Sequence, residues 1–325
     1  MHEPRELVFL YSARFVPEDI LQLVRRCVPQ HLRLTAVEQS SGRAERLAAF
    51  EKADYVLAYP GDPSADEIAV ASRLKLFQIL SAGHDWLDVD AFRRAGVLVA
   101  GNGGANATTT AEHALLLMLA LLKMLPIHHQ SMRGGHGLAM QHTSQLRELR
   151  GKTVGLVGFG QIGRAVATRV HAFGARVLYH CRTRAAPEIE AACDRVHVSF
   201  DRLLAQSDIV SLHAPLTNAT RGLMNDKAFA AMRAGAWLVN TARGALVDEV
   251  ALLRALQSGS LAGAGLDVFA VEPLAIDSPL RSAPNVVLTP HIGGATLDTW
   301  ERRLSFAFKN IDRVETSVPP HARIT

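Results

Sequence analysis

The amino-acid sequence predicts an α/β protein with two doubly wound parallel-sheet domains. Short apolar segments alternate with amphipathic ones along most of the 325 residues, and this alternation is typical of parallel strands covered by helices on both faces. The alternation runs through the first third of the chain, is interrupted by a long apolar segment at Thr108–Leu125, and restarts after Gly151. A chain of this length makes about two domains, so each run of alternation is expected to form a sheet of its own.

The first domain is expected to contain short buried strands joined by helices. The strand candidates are Leu7–Tyr11, Leu32–Val37, Tyr55–Tyr59, Leu76–Leu80 and Val97–Ala100. A helix is expected at Pro17–Arg26, where the proline stands near the start. The segment Thr108–Leu125 predicts one long buried helix, and its threonine run at 108–110 would supply the N-cap region.

The second domain is expected to hold a six- or seven-stranded sheet. Its strand candidates are Val154–Val157, Arg176–His180, Arg195–Val198, Ile209–His213, Ala236–Asn240, Ala262–Leu266 and Val286–Thr289. A last helix, Leu297–Glu315, could pack back onto the first domain. We therefore expect one domain over residues 105–294 and another over residues 1–104 together with 295–325.

The most informative motif is a glycine fingerprint between a strand and a helix. The apolar strand Thr153–Val157 leads into Gly158-Phe-Gly-Gln-Ile-Gly163, and an amphipathic segment follows. In such a G-x-G-x-x-G turn the first glycine permits the tight turn, the second leaves room for a pyrophosphate, and the third lets the helix sit close to the strand. Free amides and the positive helix end then bind the phosphates. The motif predicts a Rossmann dinucleotide-binding domain with cofactor contacts at Gly158, Gly160, Gln161, Ile162 and Gly163.

Composition and charge exclude several classes of protein. With 48% hydrophobic and 20% charged residues, the chain can fill globular cores and is not expected to be disordered. The net charge of +4 comes with scattered arginines, which favours small anionic ligands over nucleic acid. The cysteines, Cys27, Cys181 and Cys193, have no metal or redox spacing and indicate a reducing compartment. Neither a signal peptide nor a membrane span is expected, so the predicted location is cytoplasmic.

Polar side chains follow three predicted strands of the second domain. Arg243 follows the strand that ends at Asn240, Asp267 and Glu272 follow the next strand, and His291 follows the last one. Ligands of an open parallel sheet bind outside the carboxyl ends of its strands, so these side chains can converge there. Taken singly, each of them could be an ordinary loop or turn residue. Their combination beside a dinucleotide motif favours catalysis.

This set matches the needs of hydride transfer to a 2-keto acid. An arginine can hold the substrate carboxylate bidentately and polarise the carbonyl group. A histidine can protonate the developing alkoxide because it titrates near neutral pH. A carboxylate beside the histidine orients the ring and favours the imidazolium form.

On these motifs the chain resembles the D-isomer-specific 2-hydroxyacid dehydrogenase family, and glyoxylate and hydroxypyruvate reductases in particular. Besides the fingerprint and the three strand-end segments, Glu148-Leu-Arg-Gly-Lys-Thr153 and Ser211-Leu-His-Ala-Pro-Leu-Thr217 carry the resemblance. It implies a flavodoxin-like substrate domain beside the Rossmann domain, and an NAD(P)-dependent oxidoreductase acting on CH–OH groups. It also implies that Arg243 binds the substrate, that His291 is the acid/base, and that Glu272 is the partner of His291.

The same resemblance implies further contacts. Ser81, Ala82 and Gly83 lie in a segment similar to the family's substrate loop, whose backbone amides grip the carboxylate. Asp267 would lie by the nicotinamide carboxamide. Other cofactor contacts are implied for Thr108, His213, Ala214, Pro215, Thr241 and Ala242. The family also implies a homodimer formed through the region Thr108–Leu125.

Two stretches depart from the family pattern. Arg133-Gly-Gly-His-Gly137 stands where the family often has Gly-x-Trp. At the end of the second Rossmann strand, where NAD enzymes place an acidic residue for the ribose 2′-OH, the chain has Cys181, followed by Arg182, Thr183 and Arg184. A carboxylate there would repel a 2′-phosphate and arginines attract one, so the sequence predicts a preference for NADP(H), with NAD(H) possible. Solvated loop arginines are the alternative interpretation.

Other readings of the sequence stay open. Within the enzyme class, the alternative is an NAD-linked D-lactate or 3-phosphoglycerate dehydrogenase, the latter in a short form because the chain ends before a regulatory domain. In a different class, the alternative is a dinucleotide-sensing corepressor-like binding protein. No metal site is expected, because His128, His129, His136 and His142 lack ligand spacing and are interpreted as exposed helix-end and loop residues.

Overall fold

The computed structural model describes residues 4–137, 141–191 and 195–325. The chain forms two compact units, one made of Met1–Asn106 with Ala295–Thr325 and the other of Ala107–Gly294. Each unit is a parallel sheet with helices, so the predicted α/β class is confirmed. Cys27 and Cys181 are free thiols, and Cys193 lies outside the described residues.

The first unit contains a five-stranded parallel sheet among the described residues. Its strands are β1 (Arg5–Tyr11), β2 (Leu32–Glu38), β3 (Tyr55–Tyr59), β4 (Leu76–Ile79) and β5 (Leu98–Ala100). Its helices are α1 (Glu18–Cys27), α2 (Arg43–Lys52), α3 (Ala65–Val70), α4 (Val89–Arg94) and, from the end of the chain, α12 (Leu297–Glu315). The strand order β2-β1-β3-β4-β5 is the flavodoxin-like order.

Buried polar contacts fix α12 to the first unit. Asn310 Nδ2 donates a hydrogen bond of 2.7 Å to Oε1 of Gln78 on β4, and both side chains are fully buried. The guanidinium of Arg303 lies over the rings of Tyr59 and Trp300, at 4.5 and 5.1 Å from their centroids. Such contacts strengthen when water is excluded, so the returning helix is held in a defined register against the sheet.

The second unit contains a seven-stranded parallel sheet among the described residues. Its strands are β6 (Thr153–Val157), β7 (Arg176–His180), β8 (Arg195–His197), β9 (Ile209–Leu212), β10 (Ala236–Asn240), β11 (Leu261–Leu266) and β12 (Val286–Leu288). Its helices are α5 (Ala107–Leu122), α6 (Leu125–Arg133), α7 (Gln161–Ala172), α8 (Pro187–Ala191), α9 (Phe200–Gln206), α10 (Asp226–Ala231) and α11 (Glu249–Gln257).

The strand order of this sheet, β12-β11-β10-β9-β6-β7-β8, reverses at β6. All five residues of β6 are buried, as expected for an apolar strand covered on both faces. Because β6 pairs with both β7 and β9, the turn that follows it opens at the switch point of the sheet. Ligands of doubly wound folds bind at this point.

The predicted helix Thr108–Leu125 is wrong in its extent. α5 ends at Leu122, and Met124 then takes a left-handed conformation with a φ of 48° before α6 begins. Pro126 explains the break, because proline has no N–H to continue a helix and its ring clashes with the carbonyl four residues earlier, whereas the first turn of α6 tolerates it. The threonines at 108–110 lie inside the first turn of α5 and not at its N-cap.

Among the described residues no single helix is long and apolar enough to cross a membrane, and α5 and α6 reach that length only together, across a bend of 67°.

Candidate active site

Three loops at one edge of the second sheet carry the predicted catalytic residues. Arg243 follows β10, Asp267 and Glu272 follow β11, and His291 follows β12. These strands are neighbours in the order β12-β11-β10 and all run parallel. Their carboxyl ends therefore bring the loops to the same edge.

His291 and Glu272 form an ion pair across two of these loops. His291 Nδ1 lies 2.8 Å from Glu272 Oε2, and the two side chains are 37% and 19% exposed. The backbone N–H of Phe269 donates to the other carboxylate oxygen of Glu272 at 3.1 Å. The carboxylate is thus fixed by its own loop and in turn orients the imidazole ring, which remains open to solvent.

The Arg243 loop is held close to the Glu272 loop. Asn240, buried at the end of β10, donates to the carbonyl oxygen of Arg243 at 2.9 Å and accepts from the Ala242 N–H at 3.1 Å. Gly244 approaches the backbone of Phe269 so closely that a Cβ built on Gly244 would lie 1.9 Å from the Phe269 carbonyl carbon. Only glycine fits there, and this contact joins the two loops directly.

The buried carboxylate of Asp267 holds the turn that carries His291. Asp267 is 1% exposed, and its two oxygens accept from the backbone N–H groups of Ile292 at 2.9 Å and Gly293 at 2.8 Å. Thr289 Oγ1 donates to it at 2.6 Å, and His113 Nε2 lies 3.3 Å away. Burial alone would raise the pKa of Asp267, but the hydrogen bonds from His113, Thr289 and the two backbone groups hold it below its usual value.

The glycine fingerprint has the geometry of a phosphate cradle. Gly158 has a φ of +96°, and a Cβ on it would lie 2.5 Å from the carbonyl carbon of His213. A Cβ on Gly163 would lie 2.4 Å from the Gly158 carbonyl oxygen. A Cβ on Gly160 meets no atom within 4 Å, so this glycine faces open space. Gln161 and Ile162 then begin α7, whose first turn has no acidic side chain, and the turn fits an anionic pyrophosphate.

Two buried polar atoms at the carboxyl ends of the neighbouring strands β9 and β10 find no protein partner among the described residues. They are His213 Nδ1, after β9, and Thr241 Oγ1, after β10. Burial lowers the pKa of His213 to about 4, so its ring is neutral near pH 7, and its Nε2 bonds to Ser211 Oγ at 2.9 Å. Buried polar groups are normally satisfied, so both atoms are suited to meet polar groups of a bound ligand. The neighbouring Ala214 is half-buried and Pro215 is exposed.

The end of β7 carries the residues predicted to select the cofactor. The Cys181 thiol is half-buried, which raises its pKa, and it donates to the Thr183 carbonyl at 2.9 Å. Arg182 is exposed and takes part in none of the hydrogen bonds or ion pairs within the described ranges. Arg184 binds the Glu190 carboxylate through two hydrogen bonds of 2.9 and 2.8 Å. These bonds, together with one from the Tyr179 hydroxyl, lower the pKa of Glu190 to about 2, so the charge of Arg184 is paired.

The other predicted contacts lie on separate elements. In the first unit, Ser81 Oγ and Trp86 Nε1 both donate to the Gly83 carbonyl oxygen, at 2.8 and 3.2 Å. The N–H groups of Ala82 and Gly83 donate in none of the hydrogen bonds of the described residues. Thr108 is exposed in the first turn of α5 in the second unit.

The sequence predicted that the four histidines between residues 128 and 142 are all exposed, and this is wrong for two of them. His128 and His142 are half-buried, and their rings lie edge-to-face with centroids 5.4 Å apart. His129 and His136 are exposed as expected. Elsewhere on the surface, potential metal ligands of His31, Asp312 and Glu315 lie within 4.8 Å of one another. His31 Nε2 is 3.9 Å from the Asp312 carboxylate and 3.7 Å from that of Glu315.

Comparison with known proteins identifies the family. Residues 115–293 match the family described as D-isomer specific 2-hydroxyacid dehydrogenase, NAD binding domain. A glyoxylate reductase of Thermococcus litoralis is 33% identical over 96% of this chain and 95% of its own. The chain belongs to this family. The crystal structure of a glyoxylate reductase from Paecilomyes thermophila is 31% identical to this chain and superposes on it with a TM-score of 0.83. The match covers 99% of this chain and 98% of that one.

A second kind of relative matches only in part. A D-3-phosphoglycerate dehydrogenase of Mycobacterium leprae is 41% identical over 80% of this chain. The present chain spans about half of that relative, 49% of its length.

The sequence did not reveal two residues that contact the candidate site. His113 lies within an apolar helix, where it and the adjacent Glu112 are the polar side chains of Ala111-Glu-His-Ala-Leu-Leu-Leu and nothing marks the histidine as functional. Glu190 lies on α8, six residues after Arg184, and nothing in its spacing distinguishes it from a solvated glutamate. Both depend on contacts between elements, which periodicity does not reveal.

The open space at Gly160 leads to a test of the cradle. Gly160→Ala should leave the melting temperature unchanged but weaken NADPH binding by roughly tenfold or more, because the methyl group occupies the space left for the pyrophosphate. Thermal unfolding and fluorescence titration with NADPH measure both quantities. Gly42→Ala is the matched control and should change neither quantity, since Gly42 has equally open surroundings, a φ of −58° and a place in the first unit. Unchanged NADPH affinity in Gly160→Ala would place the pyrophosphate elsewhere.

Proposed function

We propose that this chain reduces small 2-keto acids, glyoxylate and hydroxypyruvate in particular, to D-2-hydroxy acids. The observation that carries the proposal is the His291–Glu272 ion pair, fixed beside the Arg243 loop and in the same unit as the glycine cradle. Together, the ion pair, the Arg243 loop and the glycine cradle would supply a proton donor, an anion-binding cation and a dinucleotide site within a fold of the 2-hydroxyacid dehydrogenase family.

Arg243 is proposed to bind the substrate. Its planar guanidinium can bind a 2-keto acid carboxylate bidentately and polarise the adjacent carbonyl oxygen. The loop that carries it is rigid, because Asn240 fixes its backbone and Gly244 packs against the Phe269 backbone. This preorganisation favours a defined position of the substrate.

His291 is proposed to move the proton. Its Nδ1 bonds to Glu272, so we assign the proton transfer to the other ring nitrogen, Nε2. A bound reduced nicotinamide cofactor would supply the hydride to the carbonyl carbon. As negative charge develops on the oxygen, the Nε2 proton passes to it, and the neutral ring keeps its Nδ1–H bonded to the carboxylate.

The proposed cofactor contacts follow from the cradle and its neighbours. Gly158, Gly160 and Gly163 and the start of α7 would hold the pyrophosphate, and His213 and Thr241 offer buried polar atoms to the same ligand. Further contacts are proposed for Gln161, Ile162, Thr108, Ala214, Pro215, Ala242 and Asp267. We propose that the N–H groups of Ala82 and Gly83, beside Ser81, bind the substrate carboxylate.

The glyoxylate-type substrate is favoured over 3-phosphoglycerate by the relatives. The Thermococcus litoralis glyoxylate reductase aligns over nearly all of both chains, whereas the phosphoglycerate relative aligns over half of its own. Reduction of a phosphorylated keto acid is the second candidate, because the identity in the matched part is higher there, at 41%.

A cytoplasmic homodimer is proposed as the working form. Large apolar side chains are exposed on neighbouring helices of the second unit, with Leu116 on α5 at 53% and Leu125 and Met132 on α6 at 52% and 68%. Exposed apolar side chains that cluster favour association with a second copy. The free thiols of Cys27 and Cys181 suit a reducing compartment.

A panel of keto acids tests the function. The unmodified protein should oxidise NADPH with glyoxylate or hydroxypyruvate, and His291→Gln should lose roughly 10²–10⁴-fold in kcat while binding NADPH normally. Steady-state absorbance at the nicotinamide band and a fluorescence titration measure both. Turnover only with phosphohydroxypyruvate would favour the second candidate, and NADPH binding without turnover of any keto acid would favour a dinucleotide-sensing protein.

We propose that the Glu272 carboxylate holds the imidazole of His291 in its reactive orientation. Glu272→Ala should therefore lower kcat for glyoxylate by roughly tenfold or more, because Nδ1 of His291 loses its hydrogen-bond acceptor. Asp201→Ala, at an exposed acidic side chain of α9, is the matched control and should leave kcat unchanged. Steady-state absorbance at the nicotinamide band measures kcat in both variants. An unchanged kcat in Glu272→Ala would make Glu272 a structural turn residue.

We propose NADP(H) as the preferred cofactor, with Arg182 as the main contact to the 2′-phosphate. Arg182 is exposed, whereas the charge of Arg184 is paired with Glu190. Arg182→Ala should therefore lower kcat/KM for NADPH by about tenfold, because an exposed charge-assisted hydrogen bond is weakened by solvent screening. It should lower kcat/KM for NADH by less than about twofold, because NADH has no 2′-phosphate. Glu190→Gln should raise the NADPH preference, because it removes a carboxylate and releases Arg184. An equal or greater kcat/KM for NADH in the unmodified enzyme would show that these arginines are solvated loop residues.

A further inference from the structure

His113 lies against the turn that carries His291. It stands on α5, and its side chain is 10% exposed. A Cβ built on Gly293 would lie 3.3 Å from His113 Cδ2 and 2.8 Å from Asp267 Oδ2. The glycine therefore lets the imidazole ring and the carboxylate lie directly against the backbone that follows His291.

The hydrogen-bond directions around His113 are fixed by chemistry. An ionised carboxylate only accepts, so the Thr289 hydroxyl gives its single proton to Asp267 Oδ1 at 2.6 Å. Thr289 Oγ1 must then accept from His113 Nε2, which lies 2.9 Å away. The proton of His113 therefore sits on Nε2, which also lies 3.3 Å from Asp267 Oδ1. The side chains thus form a relay in which His113 reaches the carboxylate through Thr289 and by its own close approach.

The far end of this relay is the backbone around His291. The Asp267 side chain accepts from Ile292 and Gly293, and its carbonyl oxygen accepts from the His291 N–H at 2.8 Å. His291 has a φ of +59°, the left-handed region that non-glycine residues rarely adopt. Such a conformation persists only where the surroundings fix it, and these three bonds fix it here.

We propose that His113 is a positioning residue of the reductase, holding His291 in place through Thr289 and Asp267. The inference rests on the proposed function of His291 but concerns a helix that carries none of the proposed catalytic groups. His113 donates a hydrogen bond that orients the Thr289 hydroxyl and keeps the Asp267 carboxylate turned toward the Ile292 and Gly293 amides. Without that donor, the turn relaxes and the imidazole of His291 loses its alignment with Glu272.

Two substitutions separate the donor from the volume of the ring. His113→Phe keeps a ring of similar size but removes the donor, and His113→Gln provides an N–H near the position of Nε2. His171→Phe is the matched control, because His171 is an exposed histidine of α7 in the same unit. A residue that only fills space would be replaced better by phenylalanine than by glutamine.

The experiment measures hydrogen exchange at the Ile292 and Gly293 amides together with kcat and KM for glyoxylate. His113→Phe is expected to speed exchange at these amides and to lower kcat, each by roughly tenfold, the scale of one lost hydrogen bond. KM for glyoxylate should stay within about twofold, since the substrate-binding arginine lies on another loop. His113→Gln should recover both quantities to within about threefold of the unmodified enzyme, and His171→Phe should change neither.

Several outcomes would overturn the proposal. Unchanged exchange and kcat in His113→Phe would make His113 a filler of the core, and equal losses in the Phe and Gln variants would assign its role to ring shape. If His113→Phe fails to fold, His113→Asn is compared with His113→Gln, because the shorter amide cannot place an N–H at the position of Nε2. Equal exchange in those two variants would refute the proposal. A protein that turns over no keto acid but shows the expected exchange pattern would refute the proposed function and leave the relay standing.

Discussion

The buried carboxylate of Asp267 is the constraint on which the proposed chemistry depends. A carboxylate that is 1% exposed destabilises the fold unless its oxygens are hydrogen-bonded. Here a hydroxyl and two backbone N–H groups donate hydrogen bonds to it. Those same bonds shape the turn after β12 and hold His291 in a left-handed conformation. Desolvation and the proposed catalysis are thus linked, because the groups that satisfy the buried charge also fix the backbone that carries His291.

The parallel sheet explains why such distant residues meet. β10, β11 and β12 are neighbours, so every loop that leaves their carboxyl ends starts at the same edge. Close backbone approach then completes the arrangement, as at Gly244, where no side chain fits between two loops. The switch point at β6 lies in the same sheet, and its glycine turn leaves open space where a pyrophosphate fits. Strand order therefore brings the proposed dinucleotide site and the proposed acid–base pair to the carboxyl ends of one sheet with few special residues.

Much of this could be predicted from the sequence, because buried parallel strands appear as continuous apolar runs. The positions of Arg243, Glu272 and His291 directly after such runs predicted three strand-end loops, and the glycine spacing predicted the turn after β6. The sequence did not reveal that α5 stops at Leu122, since the apolar pattern continues past the break that Pro126 imposes. It also did not reveal the pairing of Arg184 with Glu190 or the approach of His113 to Thr289, because both depend on how one element packs against another.

A double-mutant cycle between Glu272 and His291 tests the central claim, that the two side chains act as one acid–base unit. The kcat/KM for glyoxylate is measured at pH 7 in the unmodified enzyme, in Glu272→Gln, in His291→Gln and in the double variant. If Glu272 acts only through His291, the double variant should be about as slow as His291→Gln alone, because the carboxylate has no effect once its partner is gone. If the free-energy losses calculated from kcat/KM for the two single variants add up in the double variant, the account is contradicted and Glu272 has an independent role.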